Sequence, residues 1–494
     1  MKASTSADPS VPPAADTGPL RQSAARVDRA LLHLPAWHLP AALEPGHARS
    51  PWWTWVVTRA FMLLAVGFAQ QNVVGDVTYY GRSLYGLFRG GVSLRETLQE
   101  YPLPVFGVLL PQFLAGGLNP LAFAILFALS MLVIDGLFLR HLLKVRAETR
   151  PEQRGSAGAV GFWLWFIPLM GPITYFRFDL VPAVLAGAAI TAAVRRPSAS
   201  GWLTAVGAGL KLWPAALLPS FLVRRESRRG AALGFVGGGV VILLASVLIG
   251  GVQRLISPLQ WQSERGLQIE SIFAIPLMAA RPFAADGTWR VKVSPYKAWE
   301  VFGAGAGVLV LASTVATGLT VVWLVWTWWR AFRLRSVSVE LVGWLVFATV
   351  AVMTVVNKTL SPQYLIWLGG PLAAMLLRRT PDPVLRRVAV LMLVIAGLTQ
   401  LIFPLTYSWL LGDSPWQLPI ATLLLVVRNV LLVVVTWLAV RRVWTLTRST
   451  RTEGDDAGDT TPARTFENAG VPASALVGGD DERDGDAQSL SSTA

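Results

Sequence analysis

The sequence predicts an all-α, polytopic membrane protein of about 10–12 transmembrane helices with disordered termini. Three observations carry that prediction. Of 494 residues, 53% are hydrophobic and only 15% are charged. Mean hydropathy is +0.51, far above that of a water-soluble enzyme. The apolar residues gather into runs of about twenty, the length a helix needs to cross roughly 30 Å of hydrocarbon.

The two ends differ from this body. Residues 1–50 form an N-terminal lead, partly disordered, with Pro9, Pro12, Pro13 and Pro19 among Ala and Ser. Its second half, "VDRALLHLPAWHLPAAL", suits a segment lying on the membrane surface. No signal peptide is visible, and the first apolar run, starting near Trp52, reads as a retained anchor. Residues 51–445 form the membrane domain and residues 446–494 an acidic disordered tail. From Arg451 onward the chain holds ten of its 29 acids and three of its 43 bases, so the body carries +21 of excess charge.

The formal net charge of +14 reads as topology and not as a nucleic-acid surface, because the bases punctuate the apolar runs. "RHLLKVRAETRPEQR", "VRR", "RRESRR", "RAFRLR", "RRTPDPVLRR" and "RR" at 441–442 should all face the cytoplasm. Crossings near 52–70, 119–140, 158–174, 177–194, 229–250, 299–329, 339–357, 363–377, 388–406 and 417–440 satisfy this. Both termini then lie on the cytoplasmic side of the cell membrane. Two further apolar runs fit poorly: 103–116 is too short, and 201–222 breaks at "KLWP". Such broken runs are tolerated where they border a protein-walled cavity.

The chemistry is therefore sought on the outer face. Asp76, in "GDVTYY", leaves the first span with Tyr79 and Tyr80 on its own side of a helix and Arg82 beyond them. A partly shielded carboxylate there can take a proton from a hydroxyl; equally, it can be an N-cap with the tyrosines anchored at headgroup level. Arg177 and Asp179, in "YFRFDLVP", sit at the outer end of a span, as a site or as a self-neutralising pair. Lys211 lies between apolar stretches beside the helix break, where a lone ammonium needs an anion or must snorkel. Glu264, Arg265 and Glu270 form a polar patch in "SERGLQIES". Lys358, Gln363 and Tyr364 line the outward turn "NKTLSPQYL".

Absences narrow the chemistry. Without cysteine there is no disulfide, thiol nucleophile or thiolate metal site. His33, His38, His47 and His141 all fall in segments assigned inside, leaving no outer imidazole as base or ligand. Carboxylates remain for acid–base work, with no metal and no cofactor expected. No phosphate-binding glycine loop appears, and the two halves show no repeat of the kind seen in transporters.

The ordered motifs "GDVTYY", "YPLP", "RFDLVPAVLAGAA", "GAGLKLWPAALLP", "ERGLQIES" and "NKTLSPQYLIWL" resemble the GT-C membrane glycosyltransferases. The closer resemblance, over roughly residues 52–440, is to glycosyltransferase family 87, the polyprenol-phosphate-mannose-dependent mannosyltransferases and their relatives. It implies an enzyme of the cell envelope that passes a hexose, mannose by the resemblance, from a polyprenyl phosphate on the outer leaflet to a lipid or glycan hydroxyl. The implied partners are membrane lipids, that donor and that acceptor, and no nucleic acid. Asp76 corresponds to the family's base, Arg177, Lys211 and Lys358 are candidates for holding the phosphate, and Tyr79, Tyr80 and Tyr364 for holding the sugar. Two features depart from the pattern: "YPLP" replaces adjacent prolines, and relatives' acceptor-side histidine has no counterpart. The alternative functions are a carrier or flippase for lipid-linked saccharides, which needs no base, and a scaffold.

Overall fold

The computed structural model describes residues 51–69, 71–150, 158–378 and 383–456. The expected N-terminal lead and the tail beyond Asp456 lie outside them. Among the described residues there are seventeen α-helices and one antiparallel hairpin. In chain order the helices are α1 (Pro51–Ala69), α2 (Gly75–Arg89), α3 (Phe106–Ala115), α4 (Pro120–Glu148), α5 (Gly158–Met170) and α6 (Leu180–Ala192). There follow α7 (Pro197–Leu210), α8 (Leu218–Leu222), α9 (Arg225–Gly250), α10 (Gln253–Glu264) and α11 (Ile275–Ala280). Strands β1 (Trp289–Val293) and β2 (Trp299–Gly303) precede α12 (Ala306–Phe332), α13 (Val339–Val355), α14 (Ile366–Leu376) and α15 (Pro383–Gln400). The chain ends with α16 (Tyr407–Leu411) and α17 (Gln417–Asp456), whose last turns take in residues expected to begin the tail.

This is an all-α polytopic membrane protein. Among the described residues, five segments are long and apolar enough to cross a bilayer: Pro120–Glu148, Arg225–Gly250, Ala306–Phe332, Pro383–Leu405 and Gln417–Arg448. Two of them present apolar stripes outward at helical spacing, Leu233, Val240, Leu244 and Leu248 on α9, and Val308, Leu311, Val315, Leu319 and Val322 on α12. Water would penalise such contiguous stripes, whereas acyl chains accept them.

The interior is built from shorter helices. α5, α6 and α14 have 13, 13 and 11 residues and are almost wholly buried. At 1.5 Å per residue each spans about 20 Å or less, so the simple crossings expected at 158–174, 177–194 and 363–377 are only partly helical. α6 and α14 run side by side in the same direction. A Cβ on Gly187 would stand 2.5 Å from Gly370 O, and one on Gly370 would stand 2.0 Å from Ala183 O, so this approach requires glycine. The close packing brings the start of α6, at Asp179, against the start of α14, at Trp367.

The expected break at "KLWP" is present. α7 ends at Leu210, Lys211 is extended at φ −144°, ψ 144°, and a 3-10 turn from Trp213 leads into α8. The expected span at 299–329 starts later. Residues 299–303 pair with 289–293 from Trp289↔Gly303 to Val293↔Trp299, because "WRVKV" and "WEVFG" carry β-branched and aromatic residues that suit a hairpin. Gly303 and Gly305, at φ 141° and 84°, then turn the chain into α12.

Basic residues collect at the end of the bundle away from Asp76. Arg195 pairs with Glu148, Arg442 with Glu340, Arg224 with Glu226, and Arg228 lies over Phe332. α4 runs from a start packed on α2, where Gly81 meets Phe123 and Pro120, to this basic end.

In the core, Asp135 of α4 is fully buried and accepts from Arg59 Nε (2.9 Å), Trp55 Nε1 (2.8 Å), Trp163 Nε1 (2.7 Å) and the Tyr175 hydroxyl (2.5 Å). Arg59 is closed off by the carbonyls of Leu164 and Trp163. One carboxylate thus ties α1, α4, α5 and the loop after α5. Replacing Asp135 with Leu strands a buried guanidinium and should cost about 3–5 kcal/mol, read as a lowered unfolding midpoint in detergent. Arg59→Met added to Asp135→Leu should recover most of that loss; equal midpoints for wild type and Asp135→Leu would contradict it.

Candidate active site

Asp76 stands in the first turn of α2, but the N-cap is Val74 and no side chain caps the helix. The capping alternative is therefore not what Asp76 does. Its Oδ2 lies 2.7 Å from Arg177 Nε in an ion pair that leaves the carboxylate 38% exposed and Arg177 nearly buried. That Nε makes no aligned hydrogen bond, so the contact is mainly electrostatic, while Arg177 Nη1 donates to Phe176 O. Asp179 is not Arg177's partner. Its Oδ1 accepts from Lys211 Nζ and from Trp367 Nε1, both at 2.6 Å. The expected self-neutralising pair is thus replaced by two exchanged pairs, because Arg177 and Asp179 leave their loop in different directions. Lys211, for which sequence offers no partner, finds one inside the protein.

Aromatic rings wall the Lys211 ammonium, with Phe178 at 5.1 Å, Trp367 at 5.2 Å, Tyr364 at 5.3 Å and Tyr101 at 6.0 Å to the ring centroids. Tyr364 stacks on Trp367 at 4.1 Å, and Trp213 stacks on Trp367 at 5.2 Å. The "LKLWP" break places Lys211 and Trp213 together here. Tyr80 is buried and Tyr101 half-buried, with their hydroxyls 3.3 Å apart, and both pack edge-on or tilted against Phe178. The charges of Asp76, Arg177 and Asp179 all reach Tyr80.

Tyr79 is half-buried, and Lys297, at the hairpin tip, sits 3.3 Å above its ring. Burial first, and then Glu100, raise the Tyr79 pKa. Burial lowers that of Lys297, against the opposing pull of Glu100 and Asp76. The hairpin thus brings a cation to the mouth of the Asp76 site. Lys297 holds this position at φ 58°, a left-handed conformation unusual for lysine.

Glu270 anchors a second, adjoining group. Glu270 is fully buried, pairs with Arg428 Nη1 at 2.8 Å, and its carbonyl accepts from Arg428 Nη2 and Asn429 Nδ2. Tyr407 feels the charges of Glu270, Arg428 and Arg177, which links the groups electrostatically. Lys358 Nζ donates to Ser263 O, and its own carbonyl accepts from Gln268 N. Glu264 accepts from the Tyr296 hydroxyl at the surface. Arg265 and Gln363 are half-buried, and Arg82 is exposed. Of the predicted set, Asp76, Tyr79, Tyr80, Arg177, Asp179, Lys211 and Tyr364 come together, whereas Arg82 and Glu264 stay outside. Among the described residues no group of three or more His, Asp or Glu could hold a metal ion.

Sequence reading passed over Trp367, Trp213, Tyr101, Lys297, Arg428 and Asp135. Arg428 and Asp135 carried a signal, an ionisable residue inside an apolar run. Trp367, three residues after Tyr364, carried helical spacing only. Lys297 carried none, since the hairpin alone brings it in.

The pattern of glycosyltransferase family 87 matches residues 101–354, just over half the chain. The chain belongs to glycosyltransferase family 87. It is therefore a membrane glycosyltransferase, acting on sugar donors and acceptors. The matched span contains Arg177, Asp179, Lys211, Glu264, Arg265 and Glu270, while Asp76, Lys358, Gln363 and Tyr364 lie outside it. No curated protein and no solved structure matches the chain.

The exchanged pairing has a measurable consequence for this glycosyltransferase. Asp179→Leu leaves the Lys211 ammonium buried without its anion and should cost about 3 kcal/mol or more. Adding Lys211→Met should return most of that stability, while Asp179→Leu with Arg177→Met should not. Chemical denaturation in detergent distinguishes the two pairings.

Proposed function

We propose that this glycosyltransferase transfers a hexose, mannose by family resemblance, from a polyprenyl phosphate to a lipid or glycan hydroxyl. Asp76 is the base in this reading, and the site faces the extracytoplasmic side of the cell membrane with both termini cytoplasmic. The observation that carries it is a half-exposed carboxylate, Asp76, paired to Arg177 beside the ring-walled Lys211–Asp179 pair. The gathering of Lys and Arg at the opposite end supports the sidedness, since short basic loops stay cytoplasmic.

The chemistry balances on these groups. The acceptor oxygen forms a bond to the anomeric carbon as its proton passes to the Asp76 carboxylate. The bond from that carbon to the phosphate oxygen breaks, and the polyprenyl phosphate leaves with the electron pair. Cationic donors stabilise that growing charge. Asp76, Asp179, Arg177 and Lys211 sum to zero, so a phosphate must share cations that already have carboxylate partners. They have donors to share. Lys211 directs one contact at Asp179 and can offer further N–H groups, and Arg177 has a fork of five N–H donors with few engaged. Lys297 supplies a third cation at the mouth. Tyr364, Trp367 and Tyr101 offer aromatic faces and edges to a sugar ring.

Incubating purified protein with labelled polyprenyl-phosphate-mannose and a lipid extract tests the reading. Asp76→Asn should lower product formation by about 100-fold or more while leaving donor binding intact. Equal product from wild type and Asp76→Asn would remove Asp76 from the chemistry. Donor movement across vesicles without any product would favour a lipid-linked-sugar carrier.

A further inference from the structure

A cavity of about 730 Å³ opens at the end of the bundle away from Asp76, within the size range of small-molecule sites. Three helices end around it, α4, α6 and α14, and three begin, α7, α13 and α15. Its lining is divided. Part of it is apolar, with Leu203, Trp344, Met375 and Leu385; part is charged, with Lys144, Arg195, Arg196 and Arg378 and two acids, Glu148 and Glu340.

The acids are already engaged. Glu148 is shared by Lys144 at 3.9 Å and Arg195 at 3.6 Å, and Glu340 takes Arg442 at 2.9 Å. Among the described residues no acid pairs with Arg196 or Arg378. Arg378 is exposed and lies within reach of the like charges of Arg224 and Arg195. Arg224 in turn spends its charge on Glu226. A polar wall completes the site: the Thr191 hydroxyl donates to Ala188 O, which leaves its oxygen to accept from His141 Nε2 at 2.8 Å.

A topology-setting loop needs bases near the membrane, but it does not need them to line one cavity together with large apolar side chains. We propose that this cavity binds a phosphate-bearing anion, its phosphate held by Arg196 and Arg378 and its apolar part laid along Leu203, Trp344 and Met375. Guanidinium groups match phosphate oxygens with paired N–H donors, and basic pockets between membrane helices bind anionic headgroups on the same physical grounds. The site is separate from the Asp76 site. Asp179 and Ala192 mark the two ends of α6, about 20 Å apart by its length.

Two sources fit that chemistry, a phospholipid headgroup and a free phosphate, and three measurements separate them. Full-length protein is exchanged into detergent micelles with equimolar phosphatidylglycerol and phosphatidylcholine, and retained lipid is read by native mass spectrometry. Wild type should retain phosphatidylglycerol about tenfold over phosphatidylcholine, and Arg196→Gln with Arg378→Gln should abolish that preference. Leu203→Trp, which fills the apolar wall and keeps both arginines, should lower phosphatidylglycerol retention without affecting binding of radiolabelled inorganic phosphate. Phosphate bound by wild type, lost in the arginine variant and accompanied by no lipid preference would assign the site to a soluble phosphate. Equal retention of both lipids with no phosphate bound, or a wild-type preference surviving the arginine substitutions, overturns the proposal. Should the arginine variant fail to insert, the wild-type comparison and Leu203→Trp still decide it.

Discussion

The segment Tyr175–Asp179 is clamped from three directions, and the candidate site depends on that clamp. Tyr175 donates to Asp135, Arg177 pairs with Asp76, and Asp179 receives Lys211 and Trp367. Phe176 and Phe178, the alternating residues, are buried. In a low-dielectric interior each of these charges must find its counter-charge or be neutralised, so the contacts act as constraints and not as ornaments. A residue with fewer donors than Asp135 receives would be an expensive one to bury. The five-residue loop therefore has little freedom, and Arg177 is presented to Asp76 in one orientation.

The same constraint explains why short helices occupy the middle. α5, α6 and α14 cannot each cross a bilayer alone, and their ends expose backbone groups and polar side chains at membrane depth. Those ends are where Asp179, Lys211 and Trp367 meet. Longer helices such as α9 and α12 face outward with apolar stripes and shield the interior from lipid. Glycine contacts such as Gly187 to Gly370 let two helices approach closely enough that residues at their starts bond directly.

The hairpin plays a different part. β1 and β2 rise over the site and bring Lys297 onto the Tyr79 ring, next to Asp76 and Glu100. A glycosyltransferase must admit a sugar donor and an acceptor and limit water. A cation held by a short hairpin, over a ring at the mouth, suits that task without belonging to the helical frame. At the other end, the proposed anion site would use the same chemical preference, guanidinium for oxyanion, while the two carboxylates that line it, Glu148 and Glu340, are engaged by Lys144, Arg195 and Arg442.

Membrane residence, a predominantly helical fold, the break at "KLWP" and the isolated charges Asp76, Arg177, Asp179 and Lys211 were all legible in residue order. Hydrophobic run length and isolated charges within apolar chain act locally, so one dimension is enough to see them. Partner choice was not legible. Arg177 and Asp179 are two residues apart and read as a pair, yet each is matched by a residue brought in by the tertiary fold, from 101 and 32 positions away, because loop direction and helix packing decide which charges meet. Of the hairpin, 289–293 was read as outer loop and 299–303 as the start of a span, since apolar composition alone does not reveal which strand a segment will pair with. The chain's composition settled that it lives in a membrane; only packing across distant segments decided which charge neutralises which.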